Sequence, residues 1–539
     1  MASVAPLAKP ASAPRKRVRF ALAAALLAAY CGFILWVQRS ADAAGAAFGG
    51  FPDESAHYIG GVLLRDYILR APFSDPIRFA TEYYAHTPYF AVGVWPPLYY
   101  LAEGAWMALF GVSREAVLWL NVVSGAALAT LIFAIAGRLY GRLPGAATGL
   151  MALAIPVVQW SACLVMVDLA CTVFALASLF FLARYFERQR WTDSLLFGLF
   201  VSFAVLTKNS AYYALFVPAA VIILRRDWRV LARKSFWIAP LAFAVLYGPW
   251  LLLSRRVMLL GIVGLQEFTP VDVVAAFAVK LSNQTGLLLV LALPRVAAVF
   301  ARPRSAPPSE LCLYTVLLTM PVSIFLARVP VQDRLLIAAG AAVVVAAVAS
   351  AHQMLSWMRL PWKLLPAAAA LLAGGFVWGN ALEFQFPPRN DLRVVVSAIL
   401  SKEGAATGSV LVPSRSEGPW IAEFVQVADG GGRRTMVRPT KFLASESWNG
   451  THYRIRFSTV GELRAALSDV PLRYCIIDHE AKEYPHDRLL KTLLREDADK
   501  WRPLLSRGRF TVYENADWSP QSEERVSAAM RRFASEMFR

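Results

Sequence analysis

The sequence predicts a polytopic α-helical membrane protein of about 11 transmembrane helices followed by a soluble α/β domain. Three observations lead there. The chain is 57% hydrophobic and only 17% charged, with a mean hydropathy of +0.47, outside the range of an ordinary soluble domain. Its apolar residues gather into runs of about 15–23 residues, long enough to cross the hydrocarbon core as a helix. From about residue 390 the composition turns soluble and strand-like and helix-like patterns alternate.

The elements follow in order. Residues 1–19 form a cytoplasmic tail, Ala/Pro/Ser-rich and closed by Arg15, Lys16, Arg17 and Arg19. A first span over about 20–37 has no clear cleavage site and is read as uncleaved. Further apolar runs lie near 115–137, 143–163, 165–183, 193–207, 211–224, 235–253, 283–300, 310–327, 333–350 and 363–380. The segment 97–110, which carries Glu103 and a Trp/Tyr-rich surface, is expected to lie in the outer interface rather than cross. With that choice Arg138/Arg142, Arg184/Arg188/Arg190, Arg225–Lys234 and Arg302/Arg304 all fall on the cytoplasmic side, as the positive-inside rule requires. This also accounts for the net charge of +18 without nucleic acid. The membrane domain then covers 20–389 with an external loop over 39–114, and 390–539 is external. The location is the inner membrane of a bacterial cell, with the N-terminus cytoplasmic and the C-terminal domain periplasmic. The five cysteines form no CxxC pair or disulfide framework.

This threading gathers the isolated charges on one face. Asp53, Glu54 and His57 lie in Phe51-Pro52-Asp53-Glu54-Ser55-Ala56-His57-Tyr58, in the first external loop. Asp168 starts a span, Lys208 ends another and Arg334 opens a third. An ionisable residue inside a span costs about 2.5–3.5 kcal/mol and is tolerated mainly where it meets a polar cavity or a partner. The bland alternatives are acids in the first turn of a surface helix and cations snorkelling at span ends. Two acids and two bases on one side fit a shared cavity better.

The order Pro-Asp-Glu-x-x-x-Tyr, Trp95-Pro96-Pro97-Leu98-Tyr99-Tyr100, Leu109-Phe110-Gly111, Arg138-Leu139-Tyr140-Gly141, Met166-Val167-Asp168, Leu206-Thr207-Lys208 and Asp333-Arg334-Leu335-Leu336 resembles the C-class (GT-C) glycosyltransferases that use polyprenyl-phosphate sugars. It is most similar to bacterial relatives of protein O-mannosyltransferases and lipid A aminoarabinose transferases. The resemblance covers roughly residues 15–380. It implies a transferase that moves a sugar from a polyprenyl phosphate to a hydroxyl of a lipid, polysaccharide or protein acceptor. Asp53 would be the base, Glu54 its helper or orienter, and Asp168 the second acidic site. Lys208 and Arg334 would hold the lipid phosphate, and His57, Tyr58 and Tyr99 would line the donor site. Asp53, Glu54, His57 and Asp168 offer ligands suited to a divalent metal, but no spacing demands one, so no cofactor is assigned.

In the external part, strands are expected at 409–413, 435–438, 473–478 and 509–513, and helices at 420–427, 460–467 and 486–494. Gly430-Gly431-Gly432 is read as a turn, since no phosphate-loop pattern surrounds it. The alternative to a transferase is a secondary transporter of a polar or anionic substrate, which requires a mid-membrane site and repeated halves. No such repeat is visible in the sequence.

Overall fold

The computed structural model describes residues 13–90, 94–262, 268–359, 361, 364–380, 386, 389–403, 408–432, 434–446 and 452–537. The expected N-terminal tail therefore lies outside the described residues up to residue 12. The membrane region runs α1 (Ala13–Ser40), α2 (Glu54–Arg70), α3 (Pro76–His86), α4 (Leu98–Phe110), α5 (Arg114–Tyr140), α6 (Arg142–Leu153), α7 (Pro156–Ala162), α8 (Asp168–Arg188), α9 (Trp191–Thr207), α10 (Tyr213–Arg225), α11 (Ile238–Ile262), α12 (Pro270–Thr285), α13 (Leu287–Ala301), α14 (Pro308–Tyr314), α15 (Val316–Ala327), α16 (Ile337–Trp357) and α17 (Leu365–Gly379). Short 3-10 turns at Asn209–Tyr212 and Asp333–Leu336 precede α10 and α16.

Every apolar run of the sequence lies on helix, but length alone supports six to eight crossings rather than eleven. Six stretches are long and apolar enough, namely Ala21–Ser40, Arg114–Tyr140, Asp168–Arg188, Ile238–Arg255, Pro308–Ala327 and Asp333–Leu355. Two bent pairs, α6–α7 at 67° and α12–α13 at 117°, make eight if each is one crossing. The first break precedes Pro156, which has no N–H for the preceding turn, and the second falls at Gly286, with φ of +52°. The remaining runs, on α9, α10 and α17, are apolar helices of under 18 residues. At 1.5 Å per residue, 15 residues reach only about 22 Å, short of a hydrocarbon core of about 30 Å.

The C-terminal part, expected to be external, runs α18 (Asn390–Glu403), β1 (Val410–Leu411), α19 (Glu417–Val427), β2 (Met436–Val437), α20 (Pro439–Phe442), β3 (Ala444–Ser445), β4 (Arg454–Ile455), α21 (Val460–Asp469), β5 (Tyr474–Asp478), α22 (Pro485–Glu496), β6 (Trp501–Arg507), β7 (Phe510–Asn515) and α23 (Pro520–Met537). A five-stranded sheet has the order β2-β1-β5-β7-β6, and β3 and β4 form a separate antiparallel pair. Strands β2, β1 and β5 are parallel, whereas β7 runs antiparallel to both β5 and β6. Each strand and helix expected from the sequence overlaps one of these, while α18, α20, β3, β4, β6 and α23 were not anticipated.

This C-terminal part is packed onto the region between α1 and α5. One hydrophobic core holds Phe48, Ile59 and Val62 from the loop region together with Trp420, Phe424 and Val512 from the external part. Polar contacts fix the approach. Asp66 Oδ2 accepts from the Gly431 amide at 3.1 Å and from the Tyr83 hydroxyl at 3.2 Å, and Arg65 and Arg70 flank it at 3.1 and 3.5 Å. Gly432 N donates to Thr87 Oγ1 at 3.0 Å. A Cβ on Gly431 would stand 2.1 Å from the Tyr83 hydroxyl, and Gly430 and Gly432 have φ of +139° and +75°. The glycine triplet is thus a turn, and it docks the external part on α2 and α3.

Because Asp66 is buried among two arginines and a backbone amide, Asp66→Ala leaves those groups uncompensated. The expected cost is about 3 kcal/mol. Limited proteolysis should cleave the external part of the variant at lower protease concentration than wild type, and equal resistance would assign the docking to the apolar core alone.

Candidate active site

The first acidic pair is split by helix geometry. Asp53 is the N-cap of α2, but its side chain caps no backbone amide. It turns instead to Arg334, whose Nη1 stands 2.9 Å from Asp53 Oδ2. Arg334 also donates from Nε to Gln332 Oε1 at 2.7 Å and lies over the Phe51 ring at 4.1 Å. The arginine is therefore held from three sides, on the 3-10 turn that opens α16.

Glu54, one residue on, points into the protein and is fully buried. Its Oε1 pairs with Arg114 and accepts from Val165 N at 3.1 Å, and its Oε2 accepts from Gly49 N at 2.9 Å and Gly50 N at 3.1 Å. Arg114 is buried too, donating to Ala43 O at 2.9 Å and Cys163 O at 3.0 Å. Nothing in the sequence singled out Arg114. It sits just after Ser113, which caps α5, and reads as an ordinary charge at a helix start.

The second acidic site mirrors the first. Asp168, the first residue of α8, accepts from Lys208 Nζ at 2.6 Å, and Lys208 is the C-cap of α9. His57 lies within the field of both cations. Burial first, and then the positive charges of Lys208 and Arg334, hold its imidazole well below its usual titration range. The neutral ring shares a hydrogen bond of 2.6 Å between Nδ1 and the Tyr100 hydroxyl and packs on Trp95 with centroids 4.3 Å apart. A neutral buried imidazole contributes its full stability above about pH 6.5, and this is lost as the pH falls below that value.

Tyr99, beside Tyr100 on α4, is buried against Val167, next to Asp168. Tyr58 goes elsewhere, with its hydroxyl donating to the Val112 carbonyl and its ring in the core shared with the external part. The structure therefore brings together Asp53, Arg334, Asp168, Lys208, His57 and Tyr99, and turns Glu54 and Tyr58 inward. Among the described residues no three carboxylate, imidazole or thiol groups converge as a metal site. In the set expected for a metal, the Glu54 oxygens are taken by Arg114 and backbone amides and His57 Nδ1 by Tyr100.

Comparison with known proteins now bears on this arrangement. Residues 95–253 match the family model described as dolichyl-phosphate-mannose-protein mannosyltransferase. The apo crystal structure of ArnT from Cupriavidus metallidurans superposes with a TM-score of 0.61 at 13% identity, over 92% of this chain and 98% of that one. ArnT bound to undecaprenyl phosphate gives 0.56 at 14% identity, over 91% and 98%. The chain shares the fold of these structures and so resembles the GT-C glycosyltransferases. The oligosaccharyltransferase AglB from Archaeoglobus fulgidus, in complex with an inhibitory peptide and a dolichol-phosphate, gives 0.53 at 11% identity over 90% of this chain and 74% of that one. No curated protein sequence matches the chain. The resemblance read from the motif order is thus borne out, and the GT-C fold extends past the membrane helices into the external part.

Within this fold Glu54 and Arg114 form a buried knot beside Asp53. Removing one partner strands the other charge in the interior, at about 3–5 kcal/mol. Glu54→Gln should therefore lower the melting temperature of the solubilised protein strongly. Combining it with Arg114→Met should recover part of the loss, and a double variant no better than the single would show that the backbone contacts dominate.

Proposed function

We propose that the protein is a membrane glycosyltransferase that moves a sugar from a polyprenyl-phosphate donor to an acceptor hydroxyl on the external face of the inner membrane. The observation that carries this reading is the pair of ion pairs, Asp53–Arg334 and Asp168–Lys208, on either side of His57. The chemistry needs a base for the acceptor hydroxyl and positive charge for the departing phosphate. Asp53, the more exposed of the two acids, takes the acceptor proton as its oxygen attacks the anomeric carbon. The bond from that carbon to the phosphate oxygen breaks, and Arg334 and Lys208 receive the phosphate. Asp168 holds Lys208 in place.

Two further observations support the reading. All four charged residues sit at helix ends rather than mid-helix, against a transporter site at the bilayer centre. The matched relatives include a structure bound to undecaprenyl phosphate and one with a dolichol-phosphate and a peptide. In this reading 20–389 forms the membrane domain with eleven crossings, the bent and short helices included, and 390–539 is periplasmic.

The amide of Asp53→Asn keeps the size of the side chain but not its basicity, so transfer should fall about 10²–10⁴-fold with membrane insertion intact. Transfer is read by incubating membranes with candidate polyprenyl-phosphate sugars and following which label moves. Retained activity would remove Asp53 from the role of base and leave Asp168 as the next candidate. Arg334→Ala should weaken donor use by about 1.5–3 kcal/mol, the value of a hydrogen bond to a charged group.

The orientation is checked separately. Reporters fused after Arg142, Arg190 and Arg229 should report cytoplasm, and those near Asp75 and after Asn390 the exterior. A cytoplasmic signal after Asn390 would overturn the threading.

A further inference from the structure

The two ion pairs differ in what they leave unsatisfied. At one end Arg334 Nη1 is buried and forms an ion pair with Asp53 Oδ2 at 2.9 Å but no hydrogen bond. At the other end the unpartnered atoms are oxygens. Asp168 gives Oδ1 to Lys208, and its Oδ2 is buried with no partner. The hydroxyls of Tyr99 and Thr207 are buried and unpartnered as well, and so is Asn209 Oδ1, one residue beyond Lys208. Orphaned buried polar atoms are rare because each one costs the free energy of an unmade hydrogen bond. Several around one ion pair mark a place where a ligand supplies the partners.

These groups stand on packed elements. Tyr99 lies against Val167 and Ala170, which bracket Asp168 on α8, and α4 also packs on α9. Cys171, one turn after Asp168, has its Sγ 3.7 Å from the Ala204 carbonyl of α9. Thr207 is three residues after Ala204 and so shares the helix face turned toward α8.

We propose that Asp168 Oδ2, with the Tyr99 and Thr207 hydroxyls, is the subsite for the sugar ring of the donor, while the phosphate lies between Arg334 and Lys208. This rests on the lipid-linked donor proposed above. A phosphate diester offers only acceptors and a negative charge, so against Asp168 Oδ2 itself it would meet like charge. A sugar ring carries hydroxyls that both donate and accept. One hydroxyl donates to Asp168 Oδ2, and its neighbours exchange hydrogen bonds with the Tyr99 and Thr207 hydroxyls. The donor class is therefore a sugar with at least two free ring hydroxyls on the side facing α4, α8 and α9. Its phosphate points toward the two cations, Arg334 and Lys208.

The test uses Tyr99→Phe and Thr207→Val, which delete an unpartnered hydroxyl and change little else. The probes are bare undecaprenyl phosphate and the undecaprenyl-phosphate sugar that labels acceptor in wild-type membranes. Each variant should raise the KM for the sugar-bearing lipid about tenfold. The inhibition constant of undecaprenyl phosphate should stay unchanged, and the melting temperature should be unchanged or higher, because an unsatisfied group has been removed. Thr207→Ser should behave as wild type. Equal weakening of both lipids would place the phosphate, not the sugar, at the Tyr99 and Thr207 hydroxyls, and no effect on either would show the hydroxyls to be structural. If wild-type protein uses no lipid-linked sugar, the donor reading itself falls and this proposal with it. The variant comparison is what separates the two failures.

Discussion

The buried contact between Glu54 and Arg114 is the constraint on which the rest of the cleft depends. Two charges taken out of water are tolerated only when their hydrogen-bonding capacity is filled. Here that demand recruits four separate parts of the chain. Glu54 draws in the amides of Gly49, Gly50 and Val165, and Arg114 draws in the carbonyls of Ala43 and Cys163. The amide of Arg114 itself donates to Gln426 Oε1 at 2.6 Å, which ties in α19 of the external part. The knot lies next to both acidic sites, since Asp53 adjoins Glu54 and Asp168 follows Val165 by three residues. The separation of the two acids is thus set by an ion pair that never meets the solvent.

A second constraint is the close approach of α2 and α4. Gly60 and Gly61 present bare backbone to Tyr100 and Glu103, and a Cβ at either would come within 3 Å of those side chains. Gly104 returns the same face toward Arg65 N and Gly61 O. This is what lets the Tyr100 hydroxyl reach His57. It also encloses Glu103, whose carboxyl has no partner and is pushed well above the usual carboxylate range by burial. Burial thus favours the uncharged form of Glu103 between the two helices.

The acids and bases of the cleft were legible because charges are expensive in apolar runs, so Asp168, Lys208 and Arg334 stood out singly. The division of labour between Asp53 and Glu54 was not, since adjacent residues differ by about 100° around a helix axis and sequence cannot say which faces the cleft. Arg114 carried no signal at all: beside a capping serine it looks like any charge at a span end. In the external part the parallel strands showed as short apolar runs. Strand β6 hid behind Pro503, which marks an edge strand, and β6 is indeed at the sheet edge with its register shifted at that proline. The contact between the external part and the first loop was also invisible, because a glycine-rich turn docking on α2 and α3 reads the same as a free one.

The pairing of each acid with a cation bears on how the proposed reaction could proceed without building up charge. Before reaction the two ion pairs cancel, and a donor phosphodiester adds one negative charge. When the bond to the sugar breaks, the leaving phosphate gains a second negative charge, and at the same moment Asp53 loses its own by taking the acceptor proton. The total in the cleft is therefore constant, which matters where little water is present to screen a change. Local pairing is what changes. A protonated Asp53 no longer attracts Arg334, so the guanidinium, already short of one hydrogen-bond acceptor, becomes free to turn to the phosphate. In this account the carboxylate that activates the acceptor and the cation that stabilises the leaving group are coupled through one ion pair, and proton transfer is what redirects the positive charge.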